Sequence, residues 1–203
     1  NRVGGTNFDT AHLLAMRKAG VEMTSMQVQY SLLDRRPEKS FVDVAMQEGV
    51  ALYCYGTVAG GFLGNRWLGA AEPKPPLENR SLTKYKLIID DLGGWDLFQA
   101  LLRVLDGIAQ RHGTDIATIA SAAVLARPGV AAVIVGARNR AHLAANLRIS
   151  DIALSPEDLR AIDAVLAEAR PLKGDVYELE RDVSGHGSIM KYNLNSEGIA
   201  KSA

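Results

Sequence analysis

Short apolar, β-branched runs alternate along this chain with stretches in which apolar residues recur every three to four positions, the mark of strands alternating with helices. Val3 to Thr6 predicts a short strand, and Asp9 to Ala19 a helix with Asp9 or Thr10 as its cap and Gly20 as its stop. Val28, Tyr30 and their neighbours predict a second strand, Pro37 to Glu48 a helix closed by Gly49, and Val50 to Tyr55 a third strand. Residues 56–94 then make a long excursion, rich in Gly and Pro around Pro73-Lys74-Pro75-Pro76. That is too long for an ordinary strand-to-helix connection, and loops of such length are usually functional or disordered. Helices follow at Asp96 to Arg111 and Asp115 to Ala126, a fourth strand at Ala131 to Val135, and helices at Arg140 to Leu147 and Pro156 to Ala169.

Such alternation implies an α/β fold with a parallel sheet. Four β/α units are half of an eight-fold barrel of the TIM type, in which ligand chemistry sits at the C-terminal strand ends. Residues 1–170 are therefore expected to form half of a (β/α)8 barrel, and residues 171–203 a C-terminal tail. A four-strand parallel sheet alone exposes two bare edges, so partner strands are expected from an N-terminal half outside this sequence or from a second copy. The start at Asn1-Arg2, without an initiator Met and almost at once in a strand, reads as an internal boundary of a processed, proteolysed, truncated or partly ordered chain.

Composition narrows this picture only a little. The 203 residues are 47% hydrophobic and carry 23 basic and 23 acidic side chains, with no apolar run of membrane-spanning length. Nucleic acid and the bilayer are therefore not expected as partners, and a cytoplasmic location is. The single Cys54 excludes an internal disulfide. No metal-binding cluster is visible, because the four histidines are scattered at positions 12, 112, 142 and 186.

The chemistry-bearing residues gather where strands end. Three such ends are Val3-Gly4-Gly5-Thr6-Asn7-Phe8, Cys54-Tyr55-Gly56-Thr57-Val58-Ala59-Gly60-Gly61-Phe62-Leu63 and Val133-Ile134-Val135-Gly136-Ala137-Arg138-Asn139. A nicotinamide ring needs a flat apolar group on one face, and its carboxamide needs both a donor and an acceptor. Tyr55 can supply the face, and Asn7 and Gln27 the amide partners. Each also has an ordinary reading: Asn7 as a turn or capping residue, Gln27 and Tyr55 as lining of some other pocket. Glycines after Tyr55 let backbone N–H groups approach a pyrophosphate. Gly136 and Arg138 open a helix whose N-terminus attracts phosphate. The planar fork of Arg138 suits a phosphate monoester, favouring NADP over NAD.

With Gln27-Val28-Gln29-Tyr30-Ser31-Leu32-Leu33 between the first two, these stretches resemble, in order, the last four strand ends of an aldo/keto reductase barrel. The resemblance implies an NADP-dependent reductase that turns an aldehyde or ketone into an alcohol by hydride transfer. It places Tyr55 under the nicotinamide, Asn7 and Gln27 at its carboxamide, and Thr6 in the same motif. It sets Gly56, Thr57, Leu63 and Arg66 along the diphosphate, and His142 and Asn146 near the adenosine. Gly56-Thr57 departs from the Ser-Pro that commonly follows the stacking Tyr, which puts the side-chain contact in doubt but not the backbone one. Arg66 also reads as a solvated loop charge, and His142 as an exposed helix residue. The family's acid tetrad of Asp, Tyr, Lys and His belongs to the first four strands, so no catalytic residue is expected here and this stretch alone is expected to be inactive. Tyr85, beside Lys84, reads as structural or substrate-side.

The last thirty residues show no sustained period, and in relatives such a tail folds over the mouth. Tyr177, His186 and Met190 are therefore substrate-side candidates, with Trp67 and Trp95, which bracket the long loop. The competing reading is a non-catalytic nucleotide-binding or interaction protein built from a half barrel.

Overall fold

The computed structural model describes residues 2–137 and 139–190. Four strands, β1 (Val3–Thr6), β2 (Met23–Gln29), β3 (Ala51–Tyr55) and β4 (Val130–Ile134), pair in sequence order. All three pairings are parallel, and the register sets Thr6 beside Gln27 and Gln29 beside Tyr55. The anticipated strand ends therefore lie together at one end of the sheet.

Each crossover runs through helix. After β1 comes α1 (Thr10–Lys18), whose first turn is capped by the Asp9 carboxylate accepting from the His12 N–H. After β2 comes α2 (Phe41–Gln47). After β3 come α3 (Arg80–Leu92), α4 (Trp95–Arg111) and α5 (Ile116–Leu125). After β4 come α6 (Leu143–Arg148), α7 (Pro156–Leu166) and, in the tail, the single turn α8 (Glu178–Arg181).

Four features depart from the sequence expectation. β2 begins earlier, at Met23, because its polar residues Thr24, Ser25 and Gln27 alternate with buried Met23, Met26 and Val28 and mask the strand. The excursion over 56–94 is irregular only as far as Asn79, which caps α3 by accepting from the Leu82 N–H. Leu82, Tyr85, Ile88, Ile89 and Leu92 then bury one helical face despite the Gly and Pro on either side. The helix expected from Pro37 splits into a 3-10 turn over Arg36–Glu38 followed by α2. The segment at Arg140 likewise opens as a 3-10 turn, Arg140–His142, before α6.

Two cores hold the chain. In one, Met26, Val28, Leu52 and Cys54 of the sheet pack on Leu13, Phe41, Val42, Ala45 and Val124 of α1, α2 and α5. The other joins α3, α4, α5 and α7 around Phe62, Leu63 and Trp67. Burial also pushes the Cys54 thiol up to about 12, so it is a core group rather than a nucleophile. The opposite sheet face carries Gln27, Tyr53 and Tyr55, with Gln27 and Tyr53 exposed. Large apolar side chains stand exposed at both edges: Val3 and Leu14 beside β1, Ile134, Val135, Leu143 and Leu147 beside β4. A parallel sheet with helices on one face and such edges has the form of part of a (β/α)8 barrel.

The clasp between α4 and α7 is electrostatic. Asp158 forms a capping box with Ser155 at 3.0 and 3.1 Å, and also meets Arg111 Nη2 at 2.5 Å and His112 Nε2 at 3.2 Å. Burial raises its pKa, but the bonds from Arg111, Ser155 and His112 outweigh burial and hold the carboxyl well below its ordinary value. A depressed carboxyl stabilises the fold above the unfolded-state value, about pH 4, and that contribution fades as the pH falls further. Asp158→Asn should cost about 1–2 kcal/mol at pH 7, with the gap from wild type narrowing below about pH 4. Urea midpoints measured from pH 7 to pH 2 check this, and a pH-independent gap would contradict it.

Candidate functional site

The strand ends converge through one hydrogen bond: Tyr55 Oη donates to Asn7 Oδ1 at 2.7 Å. Asn7 itself adopts a left-handed conformation, φ 59°, while its N–H donates to the Gln27 carbonyl at 2.9 Å. That conformation is uncommon outside glycine but tolerated by Asn. It turns the chain off β1 and aims the amide at the neighbouring strand ends. Burial, then the nearby Tyr177, Tyr85 and Glu180, push the Tyr55 phenol far up, against a smaller opposing effect of Asn7. Tyr55 is therefore neutral and serves as a donor. The Asn7 Nδ2 and the Gln27 amide have no hydrogen-bond partner among the described residues.

Beside Tyr55 opens a cavity of about 1000 Å³. Of the residues singled out from sequence, Tyr55, Gly56, Thr57, Leu63, Arg66, Trp67, Tyr85, Gly136, His142, Asn146 and Met190 line it. Thr57 is almost fully buried and spends its hydroxyl on Ser121 at 2.8 Å, so it pins the wall. Arg66 lies over the Trp67 ring at 4.6 Å and pairs with Glu78 at 3.6 Å, both charges being well exposed. Asn146 Nδ2 donates to the Gly136 carbonyl at 3.0 Å, which closes the turn after β4, while His142 stays exposed. The Trp67 indole N–H is buried without a partner among the described residues.

Other candidates stand elsewhere. Thr6 is exposed at the end of β1, in register with Gln27. Trp95 joins the aromatic cluster of Phe62, Trp67 and Phe98 and donates its indole N–H to the Ala70 carbonyl at 3.0 Å, away from the cavity lining. His186 pairs with Asp91 at 2.9 Å and does not line the cavity either. Tyr177, in a left-handed turn at φ 59°, sits near the Lys84 ammonium, 5.5 Å from its ring. Arg138 lies outside the described residues, as does the tail from 191 to 203. Among the described residues no cluster of His, Cys, Asp and Glu is set to hold a metal, and no helix is long and apolar enough to cross a membrane.

Sequence reading missed a buried ionic cluster beneath the site. Arg36 donates through Nε and Nη2 to the two Asp34 oxygens at 2.8 and 2.7 Å, and through Nη2 to both Glu180 oxygens at 3.0 Å. Gln29 Nε2 donates to Asp34 at 2.6 Å, while its Oε1 accepts from Lys84 and, at 3.5 Å, from the Tyr85 hydroxyl. Lys84 also meets Glu180 at 3.1 Å. Burial raises the Glu180 pKa, but Arg36 and Lys84 more than offset it and keep the carboxyl ionised. Tyr85 closes the cluster, and burial holds its phenol protonated. A Cβ at Gly56, φ 73°, would collide with that hydroxyl, so the turn after β3 requires glycine here. Only the charged triplet Asp34-Arg35-Arg36 behind the apolar Leu32-Leu33 hints at this in sequence.

A model of the aldo/keto reductase family matches residues 1–167, and the chain belongs to that family. It is similar to Protein tas of Escherichia coli, 33% identical over 146 residues that cover 70% of this chain and 40% of that protein. It is also similar to an aryl-alcohol dehydrogenase of Pestalotiopsis microspora, 28% identical over 148 residues, 72% of this chain and 35% of that one. A thermostable aldo-keto reductase solved with the inhibitor epalrestat matches with a TM-score of 0.57 at 27% identity, covering 81% of this chain and 48% of its own. The chain thus spans under half the length of these curated relatives and about half of that solved structure.

Removing one member of a buried ion pair strands the other. Arg36→Met should therefore cost about 3–5 kcal/mol, read as a fall in the urea midpoint. A loss below about 1 kcal/mol would mean that water reaches Asp34 and Glu180, contrary to their burial.

Proposed function

We propose that this chain provides the nucleotide grip of an NADP-dependent aldo/keto reductase, which reduces an aldehyde or ketone to an alcohol. The observation that carries the reading is the Tyr55–Asn7 bond at 2.7 Å: Tyr55 lines the large cavity, while Asn7 and Gln27 stand at the adjoining strand ends outside its lining. Because Asn7 Oδ1 is already taken, its Nδ2 remains free to donate to a carboxamide oxygen. Gln27, one strand over, offers its Oε1 as an acceptor for the carboxamide nitrogen. The neutral Tyr55 ring provides a flat apolar face.

The cavity has the size and lining to take a dinucleotide: it lies at the top of the range usual for ligand sites. Gly60 and Gly61 border it with backbone, Arg66 with positive charge, and His142 with an imidazole at the far end. When bound, NADPH supplies the hydride that reaches the substrate carbon. This chain's residues bind and orient the nucleotide. The proton is another matter. Tyr85 lines the cavity but is only 5% exposed and protonated, and its hydroxyl is turned to Gln29 and against Gly56, so it reads as a packing group rather than an acid. We propose that these 203 residues alone hold the nucleotide without turning over substrate. The strands that complete a barrel, from a longer chain or a second copy, fit the exposed apolar edges as partner. A cytoplasmic setting suits this chemistry.

Two substitutions in the complete protein separate the ends of the nucleotide. Tyr55→Ala should weaken NADPH and NADH alike, since stacking is blind to the ribose phosphate. Arg138→Ala should weaken NADPH by about ten- to a hundred-fold, the worth of charge-assisted bonds to a phosphate, and leave NADH nearly unchanged. Fluorescence titration of both variants with both nucleotides gives the comparison. Equal loss of NADH and NADPH in Arg138→Ala would remove the phosphate assignment. On the isolated 203 residues, an NADPH-oxidation assay with aldehyde should stay at blank.

A further inference from the structure

We infer that Arg181, in the C-terminal tail, is a positioning residue that holds Asn7 in its left-handed turn and so sets the nicotinamide grip. This rests on the proposed role of Asn7. Arg181 Nη2 donates to the Asn7 carbonyl at 2.7 Å, and Nη1 to Asp9 Oδ2 at 2.7 Å. Its guanidinium also lies 5.9 Å from the centre of the Tyr177 ring. One planar group thus clamps the three-residue turn Asn7-Phe8-Asp9 between β1 and the cap of α1.

The turn needs such a clamp. A non-glycine residue at φ 59° holds a sparsely populated conformation, which persists only where its surroundings over-determine it. Asn7 is held by three bonds, from its N–H to Gln27, from Tyr55 to its Oδ1, and from Arg181 to its carbonyl. The first two lie within the sheet. The third comes from 174 residues further along the chain. Arg181 reaches it because its neighbour Glu180 is anchored by Arg36 and Lys84, and because Asp175 accepts from the Thr10 N–H at 2.8 Å. The tail is therefore tied just before α8, at Asp175, and within it, at Glu180, beside the Arg181 that spans to the strand end. The planar fork presents separate N–H groups to the carboxylate and the carbonyl at once.

The test compares two ligands in the complete protein: NADPH, and 2′-phospho-ADP-ribose, which lacks the nicotinamide. Arg181→Met keeps the aliphatic stem and removes the fork, and should weaken NADPH about three- to tenfold while leaving 2′-phospho-ADP-ribose unchanged. Arg181→Lys, which reaches only one of the two oxygens, should fall between, and it serves if the Met variant does not fold. In nucleotide-free protein, hydrogen exchange at the Asn7 and Phe8 amides should speed up in both variants. Equal weakening of the two ligands, or no weakening of NADPH, would overturn the role of Arg181. A wild-type protein that binds NADPH no more tightly than 2′-phospho-ADP-ribose would overturn the grip itself and the positioning role with it.

Discussion

The guanidinium of Arg36, buried between the carboxylates of Asp34 and Glu180, is the constraint from which the geometry of the site follows. A charge removed from water must recover its hydration from fixed partners, and Arg36 does so with two bonds to Asp34 and further contacts to both Glu180 oxygens. The partners come from three separate parts of the chain: the loop after β2, the tail, and, through Lys84, helix α3. Such a cluster adds little net stability compared with apolar packing of the same volume, but it tolerates few alternative arrangements. Satisfying it fixes where the tail crosses the strand ends and where α3 lies.

From that placement the rest is steric. With α3 fixed, the Tyr85 hydroxyl rests against the backbone of Gly56, and the turn after β3 must pass in a conformation that favours glycine. Tyr55 then stands at the cavity edge with its phenol protonated by burial, and donates to Asn7. The loop beyond, from Ala59 to Trp67, folds over through two 3-10 turns. Its side chains Phe62, Leu63 and Trp67 pack in the helical core, and Leu63 and Trp67 also line the cavity beside the backbone of Gly60 and Gly61. One loop thus serves both core packing and the cavity wall.

The sequence displays some of this and hides the rest for physical reasons. β3, α4, α5 and α7 are visible because a buried face imposes its period, and β1 and β4, which bury no residue, are visible only as short runs with β-branched residues between helical stretches. The start of β2 is obscured because Thr24, Ser25 and Gln27 put polar residues between the buried Met23, Met26 and Val28, so only the end of the strand stands out. Helix α3 has a full apolar stripe and an Asn79 cap, but Pro73 to Pro76 and Gly93-Gly94 on either side suggest loop. The ionic cluster is invisible since Arg, Asp and Glu ordinarily mark surface, and nothing local says that Arg36 meets Glu180 across 144 positions. The placement of Thr6, Asn7, Gln27 and Tyr55 at adjoining strand ends was legible because motif and topology agree there. Trp95 and His186 stand outside the cavity lining because an aromatic or imidazole beside a loop says nothing about which way it packs.

The most direct test of the account is a nuclear Overhauser measurement on the labelled protein titrated with NADP⁺. Contacts between the nicotinamide ring protons and the Tyr55 ring, together with shifts of the Asn7 and Gln27 side-chain amides, are the expected result. Saturable binding that shifts resonances of the cavity but leaves Tyr55, Asn7 and Gln27 unperturbed would contradict it.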